Sequence, residues 1–351
     1  MDIRSVDKNF VIKTTDGKSL KFYDPINEPM VVEGLKWFYE DGKYVRLKKE
    51  DVDKVNEGVS MLSEHTSGGK VRFVTDSTTI AIKAKLLNGE VMPHMPQTGS
   101  GGFDIYFGTG KDKKFVASAF RWEQEDKSKI DTLPLENLPK EEREVTINFP
   151  LYNGIKELYI GLDEDAVLKA PKPYDSDKAV MFYGSSITQG GCASRPGNMY
   201  SSIIGRWLDV NTYNLGFSGS ARGELYMAEL ICGYDMSCFV MDYDHNAPTL
   251  EHLKETHEPF FKYVRERHPE LPIILVSRPD KCDDERINVI LNTYNNAVKA
   301  GDKNVYFING KDLFTDKDRD ACTVDGTHPN DLGFYRMAEA IAPVVKKALG
   351  L

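Results

Sequence analysis

Residues 179–191 constrain the fold of this chain more than any other stretch. They begin as an apolar, β-favouring run, reach a glycine, place two serines in a turn and close with two more glycines. Residues 199–208 follow with the pattern of a helix. A buried strand, a tight turn and a helix hold a side chain at the carboxyl edge of a parallel sheet, where ligands gather in open α/β folds. We therefore predict that Ser186 is a nucleophile presented at that edge.

A serine hydroxyl stays inert until a base takes its proton, and the sequence offers one far downstream. Asp325 and His328 are three residues apart, just before the last predicted helix. That spacing lets one turn aim a carboxylate at an imidazole nitrogen, which orients the ring as a base. Read alone, each feature is more typical of a turn or a helix cap than of a catalytic residue. Their order along the chain, with two further segments between them, favours catalysis.

Four segments resemble, in family order, the four sequence blocks of the GDSL-type or SGNH hydrolases. They are GSSITQG at 184–190, NLGFSGS at 214–220, DHN at 244–246 and DGTH at 325–328. The resemblance implies a catalytic triad of Ser186, His328 and Asp325. It also implies an oxyanion hole made by the Ser186 and Gly219 backbone N–H groups and the Asn246 side-chain amide. The usual aspartate before the nucleophile is Ser185 here, and the glycine of the third block is Asp244, which puts loop geometry in question more than chemistry.

The second half of the chain alternates strand-like and helix-like segments. The strand-like runs are 179–183, 212–215, 238–241, 273–276 and 305–308, and the later helical intervals are 223–232, 250–267, 284–300 and 331–349. This alternation predicts a parallel sheet covered by helices on both sides. It is the three-layer α/β/α, flavodoxin-like sandwich that the SGNH resemblance also implies.

Residues 1 to 165 have a different sequence pattern from the second half of the chain. Polar and apolar residues alternate in runs separated by Gly, Asn, Asp and Pro turns, at 70–76, 79–86, 102–107, 114–120, 144–149 and 157–162. Period-two runs of this kind predict an antiparallel, jelly-roll-like β-sandwich. A stiff, proline-containing linker at 169–175 divides the chain into a predicted accessory domain, 1–170, and a predicted catalytic domain, 171–351.

Residues 102–106 resemble the Gly-x-Asp-Leu-Tyr signature of the β-domain that precedes one branch of SGNH hydrolases, with Ile105 in place of leucine. The loop before them, 92–101, is rich in Gly and Pro yet carries a histidine. Such a loop can reach the cleft of the other domain, although a structural inter-strand loop explains it equally well. We hypothesise that His94 and Asp104 contact substrate.

Residues 183–197, together with the leading β-domain, resemble bacterial carbohydrate esterases, and specifically carbohydrate esterase family 17. That resemblance implies removal of O-acetyl groups from mannan-derived sugars, with the 2-O position of mannose as a candidate. Arg195 and His245 are candidate sugar contacts, and Trp122 is a candidate for stacking on a sugar ring. The alternative roles are surface charge for Arg195, loop packing for His245 and a place in the sandwich core for Trp122. A thioesterase or lysophospholipase with the same triad, and a non-catalytic sugar-binding protein, are the two alternatives.

The composition argues against two classes of binding partner. A net charge of −9 argues against nucleic acid and anionic membranes, both of which need a basic face. No stretch approaches the roughly 20 apolar residues of a membrane span. The N-terminus lacks the apolar core of a signal peptide, and five cysteines without a Cys-x-x-Cys pair favour reduced thiols. We therefore expect a cytoplasmic enzyme, and the family resemblance implies a small-molecule acetylated oligosaccharide as its substrate. The sequence does not indicate an oligomeric state.

We predict no catalytic metal and no cofactor. The acidic run at 316–320 imitates the start of a calcium loop, but it lacks the glycine at the sixth place and the glutamate at the twelfth. No His-Glu-x-x-His motif occurs, because His257-Glu258 runs into Pro259.

Overall fold

The computed structural model describes residues 5–7, 13–121, 125–174, 176, 179–279 and 284–351. Trp122 and Cys282 lie outside these ranges, so the hypothesis that Trp122 stacks on a sugar ring stays a prediction.

The N-terminal part contains two antiparallel sheets packed face to face. Its strands are β1 (Leu20–Tyr23), β2 (Val31–Glu33), β3 (Lys70–Thr75), β4 (Ile80–Leu86), β5 (Phe103–Phe107), β6 (Lys114–Ala119), β7 (Lys129–Leu135), β8 (Arg143–Asn148), β9 (Ile155–Asp163) and β10 (Leu168–Lys169). One sheet has the order β1-β9-β4-β7; the other has β10-β3-β8-β5-β6, with β2 also paired to β3. Apolar residues of both sheets, such as Phe73, Ile82 and Ile160, share one core. The predicted antiparallel β-sandwich is confirmed.

Ten α-helices lie within the described ranges. They are α1 (Phe38–Asp41), α2 (Lys49–Val52), α3 (Glu57–Leu62), α4 (Gln97–Ser100), α5 (Ser186–Gln189), α6 (Tyr200–Leu208), α7 (Leu225–Cys232), α8 (Leu250–Arg267), α9 (Asp284–Lys299) and α10 (Asp331–Leu349). Each of them is too short or too polar to cross a bilayer.

A five-stranded parallel sheet organises the C-terminal part. Its strands are β11 (Ala179–Gly184), β12 (Asn211–Gly216), β13 (Met236–Asp242), β14 (Ile273–Val276) and β15 (Val305–Ile308), in the order β12-β11-β13-β14-β15. Because side chains alternate along a strand, Val180 and Phe182 pack with α6 and α10, whereas Met181 and Tyr183 pack with α7, α8 and α9. The predicted three-layer α/β/α sandwich is confirmed.

The two parts share packing surface. Val52, Val59 and Leu62, from α2 and α3, belong to the same buried cluster as Met227 of α7 and Met181 of β11. Residues early in the chain thus complete the core beneath the parallel sheet, which brings the N-terminal part against the carboxyl edge where the predicted nucleophile lies.

Candidate active site

The nucleophile turn places Ser186 at the first position of α5, immediately after β11. Ser185 is the N-cap, and its hydroxyl accepts a hydrogen bond from the Ile187 backbone N–H at 3.2 Å. A serine in place of the expected aspartate therefore still caps this helix. The Ser186 side chain lies 3.0 Å, Oγ to Nε2, from His328.

The residues at the other end of the chain complete a hydrogen-bonded relay. His328 Nδ1 lies 2.7 Å from Asp325 Oδ2, while Asp325 Oδ1 accepts the backbone N–H groups of Thr327 at 2.9 Å and His328 at 2.7 Å. Burial by itself would raise the pKa of Asp325, but the hydrogen bonds from His328 and Thr327 outweigh it and lower that pKa to about 2. The carboxylate is therefore ionised at neutral pH and holds the imidazole in one orientation. The structure brings together all three residues predicted as a triad.

The predicted oxyanion donors lie on two neighbouring loops. Gly219 has a φ of +65°, a left-handed conformation that favours glycine. Within the described chain, the backbone N–H groups of Ser186 and Gly219 donate to no other group. One hydrogen of the Asn246 amide goes to the Phe217 carbonyl at 2.8 Å, which ties that amide to the Gly219 loop. Donors held before the reaction in this way are what an oxyanion requires.

Gln189 supports the same loop, a role that sequence reasoning missed. Its Oε1 accepts the Ser218 backbone N–H at 3.0 Å, and its Nε2 donates to the Leu151 carbonyl at 3.1 Å. The side chain therefore connects the nucleophile helix, the loop before Gly219 and the β-sandwich. Its place in the first sequence block was the one available signal.

Arg46 holds the loop from beneath, and no local sequence signal pointed to it. Its buried guanidinium donates to the carbonyls of Asn214 (3.3 Å) and Gly216, at the end of β12, and lies 4.4 Å from the centre of the Phe217 ring. Burial lowers the pKa of Arg46 to about 9, so the group stays charged at neutral pH. The N-terminal part thus supplies a buried cation that fixes the start of the oxyanion loop.

The β-sandwich also holds the nucleophile helix. The Tyr152 hydroxyl donates to the Ser186 carbonyl at 3.1 Å, and the Ser67 hydroxyl donates to the Gln189 carbonyl at 2.7 Å. The Ser186 carbonyl also accepts the Gly190 backbone N–H at 3.1 Å, so the Tyr152 hydroxyl adds to the helical hydrogen bond there. The Ser67 hydroxyl satisfies a carbonyl at the end of the helix, where no intrahelical donor follows.

Asp244 replaces the glycine of the third block, and α9 accommodates it. The carboxylate is buried, with Oδ1 2.7 Å from Arg286 Nε and Oδ2 accepting the Arg278 backbone N–H at 3.0 Å. A buried carboxylate without such a partner would be costly. Arg286 therefore neutralises the Asp244 carboxylate and holds the loop that carries Asn246.

The loop at 92–101 reaches the triad from the β-sandwich. Its Met95 packs among Ala193 and other residues of the catalytic part, and Gly99 approaches the Ala193 carbonyl so closely that a Cβ would not fit. His94 is exposed, with its ring centre 5.8 Å from that of His328. The geometry is compatible with the predicted substrate contact at His94.

Asp104 and Arg195 lie at the junction between the two parts and not at the cleft. Asp104 is fully buried, and its carboxylate accepts hydrogen bonds from Asn148 Nδ2 (2.8 Å), the Gly197 backbone N–H (2.8 Å) and Arg195 Nη1 (3.0 Å). The Arg195 guanidinium also lies 3.9 Å from the centre of the Phe115 ring. Because Asp104 is fully buried and satisfied by these partners, a structural role replaces its hypothesised substrate contact. The predicted sugar contact of Arg195, whose side chain is partly exposed, stays a prediction.

His245 lines an open cleft of about 820 Å³ beside the triad. Asp325 and Thr327 form part of its wall, together with the polar and charged residues Asp316, Asp318, Arg319, Asp320 and Thr323. His245 thus lies in the wall of a cleft beside the triad, and its contact with substrate stays a prediction.

Two family models match the chain on either side of the predicted linker. Residues 177–346 match the GDSL-like lipase/acylhydrolase family, and residues 20–168 match the GxDLY domain, the N-terminus of SGNH-hydrolase-type esterases. The chain belongs to the GDSL-type SGNH hydrolases. This SGNH hydrolase is accordingly a carboxylic ester hydrolase with an accessory β-domain.

Solved structures share the fold of this SGNH hydrolase over nearly its whole length. A structure described as a GDSL-like lipase from Bacteroides ovatus is 26% identical, with a TM-score of 0.85 over 95% of this chain and 98% of that one. A salicylyl-acyltransferase from a tetracycline biosynthetic pathway is 19% identical, with a TM-score of 0.76 over 95% of this chain and 99% of that one. An acetyl xylan esterase from Butyrivibrio proteoclasticus is 13% identical, with a TM-score of 0.59 over 95% of this chain and 99% of that one. No curated protein sequence matches significantly.

Replacing Asn246 with alanine tests the oxyanion donor. We expect kcat to fall roughly 10²–10³-fold with a smaller effect on KM, because one preorganised donor acts mainly in the transition state. Steady-state kinetics on p-nitrophenyl acetate measure the change. The control is Asn296→Ala, which removes an exposed amide that joins α9 to Glu258 of α8. Equal rates for both variants would contradict the role.

Asp242 lies buried behind the nucleophile helix and links stability to pH. Its Oδ2 accepts hydrogen bonds from the Tyr200 hydroxyl (3.0 Å) and from the Thr188 hydroxyl (3.2 Å). Burial raises the pKa of Asp242 to about 7, and these hydrogen bonds offset the rise only in part. The folded state therefore binds a proton that the unfolded state releases above its ordinary pKa of 3.8. The contribution of Asp242 to the free energy of unfolding is therefore fully present below pH 3.8 and is lost as the pH rises towards about 7.

The Asp242→Asn variant should remove that dependence. Relative to the wild type, its free energy of unfolding should improve as pH rises from about 5 to about 7, by up to about 1.4 kcal/mol per pH unit. Urea unfolding at several pH values measures both proteins. Parallel stability profiles would show that Asp242 does not titrate in this range.

Proposed function

We propose that this SGNH hydrolase removes O-acetyl groups from acetylated oligosaccharides through an acetyl-enzyme intermediate. The observation that carries the proposal is the relay from Ser186 Oγ to His328 Nε2 at 3.0 Å and from His328 Nδ1 to Asp325 at 2.7 Å. A serine bonded to an imidazole that is itself held by a carboxylate is the arrangement that activates a hydroxyl for acyl transfer.

The reaction follows from those contacts. Ser186 Oγ attacks the acetyl carbonyl while His328 Nε2 takes its proton, and Asp325 stabilises the resulting imidazolium. The N–H groups of Ser186 and Gly219 and the Asn246 amide receive the negative oxygen. His328 then protonates the departing sugar alkoxide, and the acetyl group stays on Ser186. Water attacks the acetyl-enzyme while His328 takes its proton, and His328 returns that proton to Ser186 Oγ as acetate leaves.

Three observations support a sugar ester as substrate. Residues 183–197 resemble carbohydrate esterase family 17, and an acetyl xylan esterase shares the fold. The cleft beside Asp325 carries carboxylates, hydroxyls and a guanidinium alongside Pro279, Phe314 and Val324, and its polar groups suit a substrate rich in hydroxyl groups. We propose acetylated manno-oligosaccharides, with the 2-O position as the first to test and with His94 and His245 as contacts at the rim.

We also propose a cytoplasmic location and freely diffusing substrates. The four described cysteines form no disulfide with one another, as expected in a reducing compartment. Antibody detection in fractionated cells would place the protein.

Mass spectrometry of the substrates tests the activity directly. Acetylated mannan and xylan oligosaccharides are incubated with enzyme, and we expect manno-oligosaccharides to lose successive acetyl masses faster than xylo-oligosaccharides. The Ser186→Ala variant is the control for spontaneous deacetylation. Faster loss from xylan would keep the esterase and change the sugar, whereas no loss from either would contradict the proposal.

A thioesterase or lysophospholipase is the alternative on the same triad. It needs a long apolar slot for the acyl chain beside Ser186, and the sequence offers no apolar loop to build one. Comparing acetyl and octanoyl p-nitrophenyl esters separates the two, since a deacetylase should prefer acetyl strongly. A non-catalytic sugar-binding protein would hydrolyse neither ester.

A further inference from the structure

Two histidines from opposite parts of the chain meet at the mouth of the site. His94 comes from the β-sandwich loop, and His328 comes from the turn before α10; their ring centres lie 5.8 Å apart at an interplanar angle of 62°. One nitrogen from each ring and one oxygen of Asp325 all lie within 4.8 Å of one another. His94 and Asp325 are exposed, so a dissolved ion can reach all three groups.

We propose that His94, His328 and Asp325 form a binding site for Zn²⁺ that inhibits the enzyme. Two imidazoles and one carboxylate, with water in the fourth position, are a ligand set that zinc accepts in proteins. The site differs from an ordinary acidic surface cluster because two of its three donors are imidazoles, which suit zinc and copper and not magnesium or calcium. Inhibition rests on the proposed function, whereas zinc binding does not.

The surrounding charge favours a cation. The adjoining cleft carries Asp316, Asp318 and Asp320 against Arg319, in a chain whose net charge is −9. A cleft lined mainly by one sign of charge raises the local concentration of ions of the opposite sign.

Zinc that is shared with Asp325 binds His328 at Nδ1, because the Asp325 carboxylate lies 2.7 Å from that nitrogen. The ring proton then has to sit on Nε2, the nitrogen that lies 3.0 Å from Ser186 Oγ. With Nε2 protonated, His328 has no lone pair with which to take the Ser186 proton. The bound ion would also tie the loop at 92–101 to the last loop of the catalytic part, and so stabilise the folded chain by mass action.

Binding is measured first, without catalysis. Isothermal titration of ZnCl₂ into the Ser186→Ala variant should show one zinc ion per chain. Adding His94→Ala to that variant should weaken binding roughly 10–100-fold or more, because a direct ligand should matter at least as much as an outer-shell partner. His252→Ala, which removes a partly exposed histidine on α8, is the matched control and should leave binding unchanged. His94→Gln provides a second test that keeps a side chain of similar length.

Inhibition is measured next on the catalytically competent enzyme. ZnCl₂ should lower the rate reversibly, with recovery on adding EDTA, and MgCl₂ at the same concentration should not. Each variant is compared with its own zinc-free rate, and His94→Ala should need at least roughly tenfold more zinc for half-inhibition. Zinc binding that is equally tight without His94, or absent from the Ser186→Ala protein, would overturn the site. His94-dependent binding in a protein with no esterase activity would uphold the site and refute the proposed function.

Discussion

The Ser186→Ala variant is expected to lose ester hydrolysis almost completely, with kcat lower by roughly 10⁵–10⁶-fold. The physical reason is that Oγ is the atom that forms the covalent acetyl intermediate, and alanine leaves His328 with no hydroxyl to deprotonate. Substrate binding should change little, since a single hydroxyl is removed from a preformed site. Release of p-nitrophenol from p-nitrophenyl acetate measures the rate, and direct binding of an oligosaccharide measures the affinity.

Ser237→Ala is the matched control for that result. Ser237 lies at the amino end of β13, where its hydroxyl donates to the Ala179 carbonyl at 3.2 Å. The same chemical change at the opposite edge of the same sheet should affect stability by about 1 kcal/mol and leave kcat unchanged. If Ser186→Ala retained more than a small fraction of the wild-type rate, the acyl-enzyme mechanism would be wrong.

The Asp325→Asn variant is expected to lower kcat by roughly 10³–10⁴-fold. Asp325 accepts the proton on His328 Nδ1 at 2.7 Å, and a neutral amide both removes the charge that stabilises the imidazolium and permits the wrong tautomer. The side chain of Asp325 is 38% exposed, so water can replace part of its effect, which favours the lower end of that range. KM should stay close to the wild-type value.

Asp320→Asn removes the same charge from the same cleft without touching the relay. A loss of rate in both variants would point to the overall charge of the cleft, whereas a loss confined to Asp325→Asn identifies the orienting carboxylate. The fold of each variant is checked by its unfolding midpoint in urea.

The longer elements could be read from local patterns. The predicted bounds of α8, α10, β14 and β15 agree with the structure, because apolar residues at a regular period decide which face of a helix or strand is buried. Strands β1, β2 and β10 escaped notice, since two to four residues are too few to display a period. In β7, a proline and a neighbouring charge cluster hid the strand pattern.

The positions of the predicted triad illustrate what local chemistry can determine. A strand that stops at a glycine presents Ser186, and the three-residue spacing of Asp325 and His328 lets one turn join them; both consequences follow from backbone geometry over a few residues. The role of these residues in catalysis remains a prediction for the variants above to test.

The long-range partners were decided by the tertiary structure alone. Arg46 meets the Gly216 carbonyl across 170 residues of sequence, and Arg286 neutralises Asp244 from a different helix. Asp104 had the residue type of a sugar contact, but the packing of the two parts buries it against Arg195. Sequence pattern sets which face of an element is apolar, whereas the partner of a buried charge depends on how whole elements dock. For this reason the sequence motifs predicted a hydrolase, whereas only the folded structure showed how the β-sandwich supports the site.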